Sequence, residues 1–197
     1  MDPVVIIGSG LAGYTVAKEW RAKDKETPLV IITEDDGDFY SKPQLSVAYA
    51  KQKSVDDLVM TPSQEMAKQL NATLHTMTVI EEMDTVEKTV TFNGQTLVYR
   101  DSVLAMGGQS RALSIQGDAV DEVVSVNSLM DYRAIPEWLV SKKKIAIMGA
   151  GLVGMELAND WGQIGRDIHV IDPGHYPLMN LLPATLGETL LDCFKKQ

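Results

Sequence analysis

Two regions of the chain show the same succession of an apolar run, a glycine-rich turn and a segment with apolar residues at helical spacing. The apolar runs are residues 4–7 (VVII) and residues 145–148 (IAIM). Neither run contains a charged or polar residue, which is typical of a strand buried on both faces of a parallel sheet. The pattern therefore predicts two strand–turn–helix repeats, the second of which begins near Lys144.

A further apolar run follows each repeat where the next parallel strand is expected, at 29–32 and at 168–171. Between the repeats, Asn93-Gly94 is the strongest local signal, because both residues suit the tight turn of a β-hairpin. The other predicted elements are a loop over 35–43, a helix over 55–70, a strand over 73–79, hairpin strands over 86–92 and 96–99, a strand over 103–105, and a helix over 126–133 capped by Asn127 or Ser128. Within the predicted helix over 55–70, Pro62 suits the first position of a helical turn that Thr61 can cap. This order predicts an α/β fold with two Rossmann-like three-layer units.

The glycines of both turns match the G-x-G-x-x-G fingerprint of dinucleotide-binding sites. The first glycine permits the tight turn, the second lets a pyrophosphate approach the backbone, and the third lets the helix pack close to the strand. The helix that follows offers free N–H groups and a positive dipole end to phosphates. Two copies in the same context favour two bound dinucleotides over turns that only shape the fold. The glycines are Gly8, Gly10 and Gly13 in the first copy, and Gly149, Gly151 and Gly154 in the second.

Acidic residues follow the second strand of each repeat. Glu34, Asp35 and Asp36 come after the first copy's second strand, and Asp172 comes after the second copy's. A carboxylate at this place accepts hydrogen bonds from ribose hydroxyls and repels a 2′-phosphate. We therefore expect the second copy to prefer NAD to NADP, and no arginine closely follows Asp172 to reverse that preference.

Composition narrows the class of protein. Hydrophobic residues make up 45% of the 197 residues and charged residues 23%, which is ordinary for a soluble globular protein of one or two domains. The net charge of −9 argues against nucleic acid as a partner, because phosphates would be repelled. No membrane span or secretory signal is visible, so we expect a cytoplasmic protein. Cys193 is the single cysteine, which excludes a disulfide, a C-x-x-C redox pair or a cysteine metal cluster within these residues.

Longer stretches beyond the fingerprints resemble the pyridine-nucleotide-dependent flavoprotein reductases, and among them the rubredoxin–NAD reductases. The similarity covers nearly the whole chain, so it is more specific than the glycines alone. The stretches that carry it are residues 33–46 (TEDDGDFYSKPQLS), 99–107 (YRDSVLAMG), 127–133 (NSLMDYR) and 149–161 (GAGLVGMELANDW).

The resemblance implies a role for each candidate residue. The FAD pyrophosphate would be bound by the first turn, the adenosine ribose by Asp35 and Asp36, the flavin ring by Lys42, and the adenine by the backbone at Val79. The residues of the first turn are Gly8, Ser9, Gly10, Leu11, Ala12 and Gly13. NAD(H) would be bound by Gly149, Gly151, Gly154, Glu156 and Asp172. The alternatives are a solvated loop lysine at Lys42 and, at Glu156, a surface carboxylate favoured by the helix dipole.

The activity that the resemblance implies is electron transfer from NADH through FAD to rubredoxin or a similar small iron–sulfur acceptor, within an alkane-hydroxylating system in some relatives. Hydride transfer between the two cofactors needs no side-chain acid, base or nucleophile. We therefore expect no catalytic side chain and no metal ligand in this chain.

Relatives of this kind continue through the rest of the NAD-binding domain, a later Gly-Asp motif and an interface domain. The resemblance thus implies an N-terminal half: residues 1–112 would form the FAD-binding domain, with a hairpin near 86–99, and residues 113–197 the start of the NAD-binding domain. Two alternatives stay open. One is a reductase of a ferredoxin, a small quinone or another acceptor. The other is a non-catalytic dinucleotide-binding or interaction fragment, whose open sheet edges would favour self-association.

Overall fold

The structure is a computed structural model that describes residues 1–111 and 113–196. The chain divides into a first unit, Met1–Ser41 with Val59–Ser125, and a second unit, Lys42–Leu58 with the residues from Val126 onward. The predicted domain boundary between residues 112 and 113 stays a prediction. The two units differ from it at Lys42–Leu58, which belongs to the second unit, and at residues 113–125, which belong to the first. Residues 112 and 197, at the ends of the predicted domains, lie outside the described residues.

The first unit is built on a parallel sheet of the strand order β5-β2-β1-β9. Its elements in chain order are β1 (Val4–Ile7), α1 (Leu11–Lys23), β2 (Leu29–Ile32), β3 (Phe39–Tyr40), β4 (Val59–Thr61), α2 (Ser63–Leu70), β5 (Ala72–His75), β6 (Ile80–Asp84), β7 (Thr89–Phe92), β8 (Gln95–Val98) and β9 (Asp101–Leu104). Strand β1 pairs with β2 and β9 in parallel register, so it lies inside the sheet. Strands β6, β7 and β8 form an antiparallel sheet, and β3 pairs with β4.

The unbroken apolar runs of β1 and β2 are explained by burial on both faces of the parallel sheet, as the sequence predicted. On one face, Ile6 and Ile31 pack with Tyr14 of α1 and Met66 of α2. On the other face, alternate residues of β1 and β2 pack against the antiparallel sheet. The residues of this second face are Val5, Ile7, Val30, Ile32, Val90, Phe92 and Tyr99. The three layers are therefore helices, the parallel sheet and the antiparallel sheet.

A buried guanidinium joins the carboxyl ends of α1 and α2. Arg21 donates through Nε to the Leu70 carbonyl at 2.6 Å and through Nη2 to the Asn71 carbonyl at 3.1 Å. Its Nη1 donates to the carbonyls of Asp24 and Thr27 at 3.0 Å. Carbonyls at a helix end have no partner within the helix. The side chain of Arg21 therefore satisfies backbone groups that the fold would otherwise bury without partners.

The second unit contains the second repeat. Its elements are α3 (Leu129–Arg133), α4 (Ile135–Ser141), β10 (Lys144–Met148), α5 (Leu152–Gln163), β11 (Asp167–Ile171) and α6 (Ala184–Phe194), with short 3₁₀ helices at Lys42–Val47 and Asp56–Leu58. Strands β10 and β11 are parallel, with Lys144 opposite Asp167. Among the described residues these two strands form a sheet by themselves. Ile145 and Ile147 face the core, whereas Met148 is 46% exposed, so one sheet face is only partly covered.

The predicted helix over 55–70 is correct only in its second half. Residues 59–61 form strand β4, and helix α2 begins at Ser63. Proline disfavours helical backbone at the residue before it, which keeps Thr61 extended. Thr61 does not cap this helix; the N–H of Ser63 donates to Asp38 Oδ1 at 2.9 Å instead.

Other predicted elements are present with shifted ends. The strand predicted over 73–79 ends at His75, because Met77 adopts a left-handed backbone with φ 51°. The hairpin is confirmed as β7 and β8, with positive φ at both Asn93 and Gly94. Strand β6 was not predicted. The strand predicted over 103–105 is β9, and the helix predicted over 126–133 begins only at Leu129, where Ser128 is the cap.

No helix in the described part of the chain is both long enough and apolar enough to cross a membrane.

Replacing Ile31 by alanine should lower the free energy of unfolding by about 3 kcal/mol, because Ile31 is fully buried and a cavity would remain. Urea unfolding followed by circular dichroism measures this loss. The control is Val86→Ala in the turn between β6 and β7, where the residue is 85% exposed and the change should stay below about 0.5 kcal/mol. Equal losses in the two variants would contradict a core centred on this sheet.

Candidate functional site

The first glycine turn connects β1 to α1 at the carboxyl edge of the parallel sheet. The N–H of Gly8 donates to the Ile32 carbonyl at 2.8 Å, and Gly8 has φ 107°, a backbone that favours glycine. A Cβ on Gly8 would lie 2.2 Å from the carbonyl oxygen of Ala105, directly after β9. Position 8 therefore requires glycine for two reasons, its backbone conformation and the close approach of the neighbouring strand.

The other two glycines of this turn differ in what surrounds them. A Cβ on Gly13 would lie 1.9 Å from the Gly8 carbonyl oxygen, so the helix could not approach the turn. A Cβ on Gly10 would meet nothing within 4 Å. Gly10 begins α1, and no side chain caps the helix there. The exposed residues Leu11 and Ala12 follow. The open space and uncapped N–H groups fit a phosphate group at this helix end.

Asp35 is bound to the first turn through Ser9. The Asp35 Oδ1 atom lies 2.8 Å from both Ser9 Oγ and Thr33 Oγ1, and it accepts the N–H of Gly37 at 3.0 Å. Ser9 is buried, so these hydroxyls reach the carboxylate from inside the fold. Among the described residues these contacts use Oδ1 alone, and Oδ2 can accept a ribose hydroxyl. The acid that follows β2 is therefore hydrogen-bonded to the first glycine turn, a contact that the sequence did not predict.

Tyr14 secures the same acidic loop, and the sequence did not predict this role. Its hydroxyl donates to the Gly37 carbonyl from a fully buried ring. Burial raises the pKa of the Tyr14 phenol, and the charge of Asp35 raises it further. The available sequence signal was a phenol directly after the third glycine, on the helix face that packs on the sheet, because a buried hydroxyl there requires a partner.

Asp36 and Val79 lie at the edges of this loop. Asp36 Oδ1 accepts the N–H of Asp38 at 3.2 Å, and Asp36 is partly exposed. The N–H groups of Met77 and Thr78 donate to the carbonyls of Asp35 and Thr33, each at 2.9 Å. The chain directly before Val79 therefore runs along the acidic loop. Val79 itself is 60% exposed beside the loop.

The second glycine turn reproduces the first. The N–H of Gly149 donates to the Ile171 carbonyl at 2.8 Å, and a Cβ on Gly154 would lie 2.0 Å from the Gly149 carbonyl oxygen. A Cβ on Gly151 would meet nothing within 4 Å, as at Gly10. Gly149 differs from Gly8 because a Cβ there also meets nothing. No strand of the described chain borders β10 on the side where β9 borders β1.

Asp172 secures the second turn directly by backbone contacts. Its Oδ2 accepts the N–H of Ala150 and its Oδ1 accepts the N–H of Gly174, both at 2.7 Å. The hydrogen bond from Ala150 lowers the pKa of the Asp172 carboxyl group most, and the hydrogen bond from Gly174 lowers it further. Ala150 occupies the position of Ser9, so the second copy replaces a hydroxyl contact by a backbone contact. A carboxylate held in this way stays charged at the turn.

Lys42 and Glu156 both belong to the second unit and have separate partners. Lys42 Nζ donates to Asn127 Oδ1 at 2.7 Å, and the Glu156 carboxylate accepts the hydroxyl of Ser46. Asn127, which was predicted as a helix cap, therefore binds the lysine instead. Ser128 caps α3 by accepting the N–H of Asp131 at 3.1 Å. The structure does not pair Lys42 directly with Glu156.

Asp160 lies on the same helix as Glu156, and its contacts were not predicted from the sequence. It is 3% exposed and accepts the N–H groups of Tyr49 at 3.0 Å and Ala50 at 3.1 Å. Burial raises the pKa of this carboxyl group, and the two hydrogen bonds oppose that effect. Asp160 lies four residues after Glu156, which places both on one helix face. That spacing was the available signal.

The described residues contain no group of three histidine, cysteine or acidic side chains placed to hold a metal ion. The free cysteine, Cys193, is exposed on α6. The first unit thus contains one glycine turn with the carboxylate of Asp35. The second unit contains the other turn with the carboxylate of Asp172, the contact of Lys42 with Asn127 and the contact of Glu156 with Ser46. The assignment of these residues to FAD and NAD(H) stays a prediction.

Replacing Gly13 by alanine should lower the free energy of unfolding by at least about 2 kcal/mol, because the methyl group would collide with the Gly8 carbonyl. Gly10→Ala should unfold like wild type but bind FAD at least about tenfold more weakly, because its methyl group would occupy the phosphate's approach. Urea unfolding and a flavin fluorescence titration measure the two effects. Tight FAD binding by Gly10→Ala would place the pyrophosphate elsewhere.

Asp172 should make the stability of the chain sensitive to acid. Its pKa is lower in the folded than in the unfolded state, so its stabilising contribution is present above about pH 4 and is lost as the pH falls further. The unfolding temperature should therefore fall less between pH 5 and pH 3 in Asp172→Asn than in wild type. Scanning calorimetry measures both temperatures. Asp118→Asn, in an exposed loop, should keep the wild-type slope.

The family model described as pyridine nucleotide-disulphide oxidoreductase matches residues 2–197. A rubredoxin-NAD(+) reductase of Alcanivorax borkumensis is 42% identical over 190 residues, which are 96% of this chain and 50% of that protein. A nitric oxide reductase FlRd-NAD(+) reductase of Aliivibrio fischeri is 35% identical over 195 residues, 99% of this chain and 51% of that protein. The chain thus spans about half the length of these curated relatives.

Solved structures agree with this similarity. The NADH:rubredoxin oxidoreductase of Clostridium acetobutylicum is 28% identical, with a TM-score of 0.85 over 99% of this chain and 50% of that one. The water-forming NADH oxidase of Lactobacillus brevis shares the fold at 20% identity, with a TM-score of 0.92 over all of this chain and 45% of that one. The predicted α/β fold and the predicted resemblance are both confirmed. This chain belongs to the pyridine nucleotide-disulphide oxidoreductase family.

Proposed function

We propose that this chain forms the dinucleotide-binding part of a flavoprotein reductase that passes electrons from NADH through FAD to a small redox protein. The observation that carries the proposal is the duplicated turn. Each copy has an uncapped helix start at its second glycine, open space there, and a carboxylate hydrogen-bonded to the turn. A single copy would suit many nucleotide-dependent proteins, whereas two copies suit transfer between two cofactors.

The first turn fits the pyrophosphate of FAD. The N–H groups that begin α1 would bind the phosphate oxygens, and Ser9 would hold Asp35 beside the turn for the ribose. The backbone before Val79 runs along the same loop, in agreement with a place for the adenine. Lys42 is proposed to stabilise negative charge on the flavin ring, with Asn127 holding its ammonium group.

The second turn fits NADH. Asp172 keeps its charge because two backbone N–H groups stabilise the carboxylate, and further lone pairs of both oxygens can accept ribose hydroxyls. The same charge repels a 2′-phosphate and so favours NADH over NADPH. When bound, FAD supplies the step between a two-electron donor and a one-electron acceptor. The protein's own residues bind and orient the two cofactors.

Rubredoxin is the acceptor that we propose, because the similar proteins include two rubredoxin-NAD(+) reductases, at 42% and 40% identity. The nitric oxide reductase FlRd-NAD(+) reductases among the relatives favour a flavin-linked rubredoxin as the second candidate. A ferredoxin or a small quinone would be served by the same residues. Service to an alkane hydroxylase and a cytoplasmic location remain parts of the proposal.

A dinucleotide-binding fragment without activity of its own is the alternative from a different class. The observation that favours it is the two-stranded sheet of β10 and β11, because one of its faces is only partly covered. Such a face favours association with further polypeptide or with a second copy.

The proposal predicts a yellow protein that retains FAD after purification. Anaerobic addition of NADH should bleach the flavin absorbance, and NADPH should do so at least about tenfold more slowly, because Asp172 repels its 2′-phosphate. Stopped-flow absorbance measures both rates. Asp172→Ala should reduce the preference for NADH, and Asp167→Ala, at the other end of β11, is the matched control.

Rubredoxin added to the reduced protein should be reduced in turn. Reduction of a ferredoxin or a quinone in its place, in the same assay, would identify a different acceptor. A colourless chain that neither binds added FAD nor oxidises NADH with any of these acceptors would contradict the reductase proposal. The binding fragment would then be distinguished by calorimetric titration with NAD⁺ and by the mass of the particle in solution.

A further inference from the structure

We propose that Ser46 is a positioning residue that fixes the Glu156 carboxyl group for the nicotinamide nucleotide bound at the second glycine turn. The inference rests on the proposed function, since it specifies how that site is ordered. Glu156 lies on α5, two residues after Gly154. Its side chain is therefore at the nucleotide end of the helix, where its orientation affects what binds.

The contact between the two residues is direct and partly buried. Ser46 belongs to the 3₁₀ helix Lys42–Val47 and is 4% exposed. Its hydroxyl donates to Glu156 Oε2, and Glu156 is itself partly buried. A hydrogen bond to a charged group contributes more than one between neutral groups, particularly where water is excluded. The contact is therefore strong enough to select one orientation of a flexible side chain.

Ser46 can hold the carboxyl group in either protonation state. Besides Glu156, its Oγ atom lies 3.2 Å from the carbonyl oxygen of Pro43. A hydroxyl has one hydrogen and two lone pairs. With an ionised carboxylate, the hydrogen is donated to Glu156. With a protonated carboxyl group, Glu156 donates a hydrogen bond to Ser46 Oγ, and the Ser46 hydroxyl donates its own hydrogen to the Pro43 carbonyl oxygen. Neither change requires a heavy atom to move.

A second carboxylate on the same helix face holds the segment independently. Asp160 lies one turn after Glu156 and accepts the N–H groups of Tyr49 and Ala50. The segment that contains Ser46 is therefore attached to α5 even without the Ser46 hydroxyl. Because of this second attachment, removal of the hydroxyl should release the Glu156 side chain and leave the backbone in place.

The first repeat has no equivalent of this arrangement. The counterpart of Glu156 there is Thr15, whose hydroxyl donates to the Leu11 carbonyl of its own helix at 2.6 Å. A threonine that bonds to its own helix is a local structural contact. A buried serine from a distant segment that bonds a carboxyl group is not needed to form the helix. The difference between the copies points to a role at the second nucleotide.

The expected effect follows from conformational entropy. A free glutamate side chain occupies several rotamers and must be ordered when the nucleotide binds, which costs about 0.5–1.5 kcal/mol per side chain. That range corresponds to a loss of about two- to tenfold in the rate or affinity that depends on Glu156. Loss of the hydroxyl should therefore be a moderate effect specific to Glu156.

The test compares Ser46→Ala with Ser54→Ala, whose hydroxyl lies in the same segment but binds Asp57 on the surface. Ser46→Ala should slow the anaerobic reduction of bound FAD by NADH about two- to tenfold, while Ser54→Ala keeps the wild-type rate. Ser46→Thr, which retains a hydroxyl, should recover most of the rate. In the Glu156→Gln background, Ser46→Ala should have little further effect on that rate.

A second readout uses the chain without cofactors. Urea unfolding of Ser46→Ala, Glu156→Ala and the double variant should give non-additive losses, because each single variant already removes the hydrogen bond between the two side chains. Additive losses would overturn the contact. Non-additive losses with an unchanged rate of flavin reduction would overturn the positioning role and leave a structural one.

Failure of the proposed function is distinguishable from failure of this inference. If wild type is not reduced by NADH, the reductase proposal fails, and the dissociation constant for NAD⁺ then decides the role of Ser46. Ser46→Ala should raise that constant about two- to tenfold relative to Ser54→Ala, as calorimetry would show. Equal constants for the two variants would overturn the inference.

Discussion

The close approach of helix to turn is the constraint on which both glycine turns depend. In each copy the third glycine packs so near the carbonyl of the first that a Cβ would lie 1.9 Å or 2.0 Å from the carbonyl oxygen. That approach sets the helix N-terminus directly after the buried strand. The free N–H groups then converge on the space beside the second glycine. A side chain at the second glycine would fit this space sterically, but it would displace a phosphate bound there.

The two copies share this constraint and differ in how their acids are held. Asp35 reaches its turn through the hydroxyl of Ser9, whereas Asp172 accepts the backbone N–H of Ala150 directly. The first copy has the neighbouring strand β9, and a third layer of antiparallel strands covers its sheet. In the second copy the described chain provides two strands, so Gly149 has open space where Gly8 is crowded.

Local patterns predicted the elements whose cause lies within a few residues. Strands β1 and β2, the hairpin at Asn93-Gly94 and the two glycine turns follow from apolar runs and from backbone that favours glycine. The helix predicted over 55–70 was wrong before Pro62, because strand pairing with Phe39–Tyr40 determines residues 59–61. Strand β6 was missed because its residues alternate weakly and only pairing with β7 orders them.

The sequence by itself determined the family, the two glycine turns and the acids that accompany them, because spacing along the chain encodes a turn and the residues next to it. Only the tertiary structure decided which distant groups contact the helices that follow these turns. Tyr14 with Gly37, Ser46 with Glu156, and Asp160 with Tyr49 are each separated by more than 20 positions. Such pairs form because buried polar groups must find partners wherever the fold brings them, and that choice is made by packing, not by local sequence.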